Sequence, residues 1–246
     1  ARDALALTAQ YPDASLAADI WMSLGSIQHL QRVTTEAESS YLRALRGFGS
    51  TGDQMNEAIV LVSLGGLYSA DSRWSEAEDS FERSAAICRD IGFQSGEGFA
   101  LTGLGIMLKR RGDRGRAESA LVAALSIARD GADQYTESTI LIHLGELIQH
   151  DDLAMSHQWY AAAVDRTVDK DMPMLLAHAL VGLGETERLG GNFEQMRSAW
   201  ERALPLLDSQ SADGAADLRR RIEEAEIEQR LSTSDAPREP AVDADA

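Results

Sequence analysis

IWMSLGSI (20–27), IVLVSLGGLY (59–68), FALTGLGIML (99–108), ILIHLGELI (140–148) and ALVGLGETERL (179–189) are five apolar runs built on one dipeptide. Leu-Gly stands at Leu24-Gly25, Leu64-Gly65, Leu104-Gly105, Leu144-Gly145 and Leu183-Gly184, and the glycines are 40, 40, 40 and 39 residues apart. Each run otherwise reads as helix, where a glycine costs about 1 kcal/mol relative to alanine. Five such costs at one phase require a common cause, and the one expected is a second backbone too close for a Cβ. The partner helix is marked by small residues twelve positions on, at Ala37, Ala77 and Ala117. Tyr41, Phe81 and Leu121 follow at sixteen, and Ala44, Ser84 and Ala124 at nineteen. A helix, a short turn and an antiparallel helix repeated with one period predict an all-α, right-handed α-solenoid of helix hairpins.

Outward from the glycines, helix pairs are expected at 14–31 and 34–48, 53–71 and 74–91, 94–111 and 114–130, 134–150 and 153–169, and 172–189 and 193–208. Thr34 or Thr35 with Glu38 reads as a capping box, and Asp53 as an N-cap. The fourth pair is irregular. Ser156, Tyr160 and Ala163 fall into phase only if one residue is deleted in the turn His150-Asp151-Asp152. In the fifth, Met196 takes a small-residue place, which predicts a wider crossing. Residues 13–210 thus form five repeats. Residues 1–12 read as part of the second helix of an earlier repeat, because Ala4-Leu5 stands 40 positions before Ala44-Leu45. That register implies a longer polypeptide. Residues 211–231 carry a narrow stripe of Leu218, Ile222, Ala225 and Leu231 and read as a capping helix. The stretch 232–246 has no periodicity and reads as a disordered tail.

The formal charge of −17 argues against a phosphate-backbone surface and against an anionic membrane. No apolar run reaches the roughly 18 residues of a membrane span. The single cysteine, Cys88, admits no internal disulfide and fits a reducing compartment as a buried, inert thiol.

Chemistry is sparse. There is no phosphate-binding loop and no nucleophile elbow. Gly103-x-Gly105 and Gly182-x-Gly184 resemble half a dinucleotide fingerprint, but no strand precedes them. His143, His150 and His157 lie seven apart, whereas helical metal ligands want four. No catalytic, metal or cofactor site is assigned. Lys109, Arg110, Arg111, Arg114 and Arg116 cluster at one turn, and Arg219, Arg220 and Arg221 form a second cluster. In an acidic chain the first could receive an acidic partner, or else be a solvated turn.

WMSLG followed by EAESSYLRAL, and VSLGGLY followed by SEAEDSFERSA, resemble tetratricopeptide repeats. Trp21, Leu24, Gly25, Ala37, Tyr41 and Ala44 carry the likeness in the first repeat, and Leu64, Gly65, Tyr68, Ala77 and Phe81 in the second. The usual repeat has about 34 residues, so these helices are longer. The long form resembles the C-terminal arrays of bacterial signal-transduction ATPases with an NB-ARC-type nucleotide-binding domain, transcription regulators among them. The stretch 89–121 is the most similar. Quorum-peptide receptors and kinesin light chains are similar too. The resemblance implies a non-catalytic, cytoplasmic interaction module that binds a partner protein or its own upstream domain. The alternative is a free-standing receptor for a short peptide or small inducer. Copies could also associate through solenoid ends.

In such arrays the first helix of each pair lines the concave side. By that analogy the binding face comprises Met22, Ser26 and His29; Val62, Gly66 and Ser69; Thr102, Ile106 and Lys109; Ile142, Glu146 and Gln149; Val181, Glu185 and Arg188. It is apolar toward the helix starts and polar toward their ends, which suits a peptide. Relatives that clamp a C-terminal carboxylate use Asn, Lys and Arg on these helices. Asn56 and Asn192 do not stand at those positions.

Overall fold

The computed structural model describes residues 14–234, which hold eleven α-helices and no strand. First helices of each pair are α1 (Ala14–Leu30), α3 (Gln54–Ala70), α5 (Gln94–Arg111), α7 (Gln134–Ile148) and α9 (Pro173–Leu189). Second helices are α2 (Thr34–Thr51), α4 (Trp74–Asp90), α6 (Arg114–Asp130), α8 (Leu153–Thr167) and α10 (Phe193–Asp208). Helix α11 (Ala212–Ser234) follows. Residues 1–13 and those after 234 lie outside the described residues, and with them the stretch 1–12 read as part of an earlier repeat and most of the stretch read as a tail. Ser232 to Ser234 extend α11 instead. None of the described helices is long and apolar enough to cross a membrane.

The chain divides into two compact units, 1–147 and 148–246, at the irregular fourth repeat. In the first unit α1 packs on α2, α3 on α4 and α5 on α6, and α1, α3 and α5 also touch in series. In the second, α9 packs on both α8 and α10, and α10 on α11. Turns of a few residues between touching helices make each pair antiparallel. One such turn, between α5 and α6, closes on Gly112 at φ 89°, whose N–H donates to the end of α5. The matching turns use Arg32 and Ser72 at φ 60° and 59°.

All five repeat glycines are buried. The cause differs from the expected one. At Gly25, Gly65, Gly105 and Gly184 it is first a side chain of the second helix, rather than its backbone, that fills the space of the missing Cβ. A Cβ on Gly25 would stand 2.7 Å from the Tyr41 ring, and one on Gly65 2.8 Å from the Phe81 ring. At Gly105 the intruder is Leu121, with the Ala117 carbonyl oxygen behind at 3.3 Å. At Gly184 it is the Trp200 ring. The extra glycines have the same origin from the other side. Phe81 also abuts Gly103 of α5, and Tyr160 abuts Gly182 of α9. Phe81, held between α3 and α5, needs glycine on both, which explains Gly103 beside the repeat glycine Gly105.

Two further expectations change. The N-cap of α2 is Val33, with no side-chain bond, and Thr34 lies inside the helix. Asp53 caps α3 as expected, accepting from the Asn56 N–H at 3.1 Å. On α11, Leu218 and Ala225 are buried but Leu231 is 62% exposed. The 23-residue α11 outruns the 16-residue α10 that covers it.

Candidate functional site

Because α1, α3 and α5 touch in series, positions three before, one after and four after each glycine share a face. In the first unit Met22, Val62, Ile106 and Ile142 are half-buried on it. Ser26, His29, Gly66 and Glu146 are exposed, and a Cβ on Gly66 would meet nothing within 4 Å. Ser69 and Thr102 are buried, contrary to expectation. Ser69 accepts a hydrogen bond from Arg110 at 3.1 Å, and Thr102 donates back to the Gly98 carbonyl at 2.7 Å. Gln149, in the second unit, is buried too and donates to the Gly182 carbonyl and to Thr186. These three side chains are spent on internal packing.

Four residues not singled out in the sequence extend the apolar end of the face. Met55, Ile59, Phe99 and Tyr135, on the first halves of α3, α5 and α7, are between 39% and 59% exposed. Two of them, Ile59 and Phe99, line a cavity of about 280 Å³ open to solvent. Ile59 and Val62 of α3 form one wall, Phe93 and Phe99 the other, and Ser84 and Cys88 of α4 line it with Gly96. Its lining is almost wholly apolar. Ser84 donates to the Ala58 carbonyl at 2.9 Å, so its hydroxyl is satisfied. Cys88 is 1% exposed, and burial pushes its thiol up. The sequence did hold a signal: Phe93-x-x-Gly96 stands where Asp53-x-x-Asn56 and Asp133-x-x-Thr136 stand in neighbouring repeats.

At the polar end, Glu146 accepts from Lys109 and lies 3.2 Å from His143 Nδ1. The His143 hydrogen bond holds its carboxyl down at about 2, with burial opposing and Lys109 reinforcing. The predicted basic cluster is not a free cationic surface. Arg111 and Arg116 both pair with Glu78 at 2.5 Å. Arg110 stacks over Trp74 at 5.8 Å besides binding Ser69. Arg114 is engaged as well.

In the second unit Val181, Glu185 and Arg188 are half-buried, and the charged pair is tied to α11. Glu185 bonds Arg188 at 2.8 Å and Arg221 at 2.6 Å, and Arg188 reaches Glu228 at 2.7 Å. Burial pushes Glu185 up, but the two guanidinium groups outweigh it and leave its carboxyl below the usual range. Arg219 and Arg220 are likewise paired, with Asp208 and Asp217. His157 bonds the buried Glu187 at 2.6 Å. Among the described residues no three His, Cys, Asp or Glu side chains gather as a metal would need.

The tetratricopeptide repeat family profile matches residues 16–90. No curated protein matches the sequence. Among solved structures, BtubC from P. vanneervenii is similar at TM-score 0.72 and 17% identity, over 100% of this chain and 92% of that one. Apo RapI is similar at TM-score 0.72 and 12% identity, over 88% and 85%. NprR in complex with its cognate peptide NprX is similar at TM-score 0.62 and 13% identity, over 95% and 68%. At such identities the likeness is one of fold, the tetratricopeptide-type α-solenoid.

Proposed function

We propose that this chain, whose residues 16–90 match the tetratricopeptide repeat family, is a non-catalytic interaction module whose first-helix face takes a peptide segment of a partner. One observation carries this reading. Exposed apolar side chains gather on the first halves of α3, α5 and α7, with polar groups following along the same helices. Such a strip offers pockets for anchoring side chains and hydrogen bonds for a backbone. Similar folds solved with bound peptides, NprR with NprX and a Rap protein with competence and sporulation factor, support it. The resemblance to regulator arrays supports a setting in a larger cytoplasmic signalling or transcription-regulatory protein. There the occupying segment could come from an upstream nucleotide-binding domain.

Random dodecapeptides displayed on phage and selected on the 246-residue protein provide the test. Selected peptides should lose about tenfold or more of their affinity, ~1.4 kcal/mol, when Ile106→Asp charges the face. The circular dichroism spectrum should not change. Unaltered affinity for every selected peptide would refute the face assignment.

A further inference from the structure

Three first helices of the first unit begin at one phase but with different chemistry. At α3, Asp53 accepts from both the backbone and the side chain of Asn56, at 3.1 and 2.8 Å. At α7, Asp133 does the same for Thr136, at 3.1 and 2.7 Å. Between them α5 begins with Phe93, which offers no side-chain cap, and Gly96 stands in the place of Asn56 and Thr136. The two departures belong together. A Cβ on Gly96 would collide with the Phe93 ring and stand 2.7 Å from Cys88 Sγ. The glycine therefore makes room for a ring that has replaced a capping carboxylate. Both changes weaken a helix start. What they yield is the apolar cavity, whose wall is Phe93 and whose lining includes Gly96. A local rule broken twice, in one repeat, with a pocket as the result, is the mark of a binding site.

Resting on the peptide-binding reading above, we infer that this cavity is the specificity pocket of the face, and that it takes one aromatic or large aliphatic side chain of a basic peptide. Its two phenylalanine rings, Ile59 and Val62 offer an apolar side chain dispersion contacts, and the lining offers no charge to satisfy a polar one. About 280 Å³ accommodates one such anchor rather than a helix face. Phe99, 49% exposed at the mouth, loses its remaining water when the anchor enters. Outside the pocket, the charge of −17 favours lysine and arginine in the flanks of the peptide.

The same phage-selected dodecapeptides test the pocket, now against Phe93→Asp/Gly96→Thr, which gives α5 the beginning that α7 has. A second variant, Phe99→Ala, alters only the exposed rim. The expected result is that the peptides share one Phe, Trp, Leu or Met near Lys or Arg. Replacing that residue by Ala should cost tenfold or more, and so should either variant. In a double-mutant cycle the peptide change should become nearly silent on the pocket variants. Because a Cβ at position 96 also stands 2.7 Å from the buried Cys88 Sγ, the double variant should melt below the parent while keeping its helical circular dichroism spectrum. If it fails to fold, Phe99→Ala alone decides. Peptides weakened by Ile106→Asp but indifferent to the pocket variants would overturn the pocket and leave the face standing. Selection of acidic peptides, or of peptides without an apolar anchor, would overturn the stated ligand. No selected peptide at all would overturn both readings.

Discussion

The register positions of the first helices are engaged differently in the two units, although Met22, Val62, Ile142 and Val181 alike stand three before a repeat glycine and Glu146 and Glu185 one after it. In residues 14–147 they present Met22, Val62, Ile106 and Ile142, flanked by exposed Ile59 and Phe99. In residues 148–246 they present Val181 followed by Glu185 and Arg188, both held by Arg221 and Glu228 of α11. One repeat framework therefore serves two ends. On the proposed reading, the apolar and uncovered positions are the ones a peptide meets. In the second unit the charged ones are paired with α11 instead. A ring tells the same story: Trp200 is wholly buried, donates to the Val181 carbonyl at 3.0 Å and lies under Arg221 at 4.9 Å, while Phe99 faces water.

The contrast between these rings sets the largest expected effect. Trp200→Ala should destabilise the protein by ~3–5 kcal/mol, because it opens a cavity and orphans the Val181 partner. Phe99→Ala should change stability by less than ~1 kcal/mol while reducing peptide affinity. Urea titrations of the two variants make the comparison, and similar losses from both would erase the distinction between a structural and a ligand-facing aromatic.

Two adjacent glycines sharpen it next. Gly65→Ala drives a methyl against the buried Phe81 ring, an overpacking expected to cost ~1–3 kcal/mol. Gly66→Ala adds its methyl in open space within a helix, and should stabilise by up to about 1 kcal/mol. Opposite signs at neighbouring positions, read from melting temperatures, would establish that the repeat glycine serves packing and the next one serves an accessible face.

The glycine phase made the helices legible, because a forty-residue recurrence needs no knowledge of contacts. Which atoms filled the space was not legible. Tyr41 and Phe81 were visible at the sixteenth position, but only their ring orientation shows that they, not the helix backbone, exclude a Cβ. For the proposed face, hydropathy and phase pointed to Met22, Val62, Ile106 and Ile142, which are half-buried. Ser69, Thr102 and Gln149 followed from the same phase and proved buried, because small or amide side chains can turn inward to helix carbonyls and neighbouring hydroxyls. The basic cluster misled for a related reason: Glu78 and Glu82, which engage Arg111 and Arg116, lie over thirty residues earlier and outside any local window. Phe93-x-x-Gly96 was readable by aligning the repeats against each other rather than by searching for motifs.

A charge placed at equivalent positions of the two units tests the division directly. Ile142→Asp should weaken peptide binding by about tenfold or more, whereas Val181→Asp should leave it within about twofold. Equal losses would merge the two faces into one binding surface.

The smallest effect concerns acid. Glu146 has a folded-state value near 2, well below the ordinary 4.5. A depressed carboxyl contributes stability that is present above the ordinary value and is lost as pH falls through the folded one. Glu146→Gln should therefore lower stability at neutral pH and converge with the parent near pH 2. Because the side chain is 52% exposed, solvent screens its contacts with Lys109 and His143, and the difference should stay below about 1 kcal/mol. Added salt should shrink it further. The charged pairs of α9 and α11 offer the control. Glu185 is 21% exposed and holds two guanidinium groups, so Glu185→Gln should cost more than Glu146→Gln at neutral pH and respond less to salt. The reverse order would mean that the pairing across α9 and α11 does not hold these side chains in place, and that the charged positions of the second unit are as accessible as the apolar ones of the first.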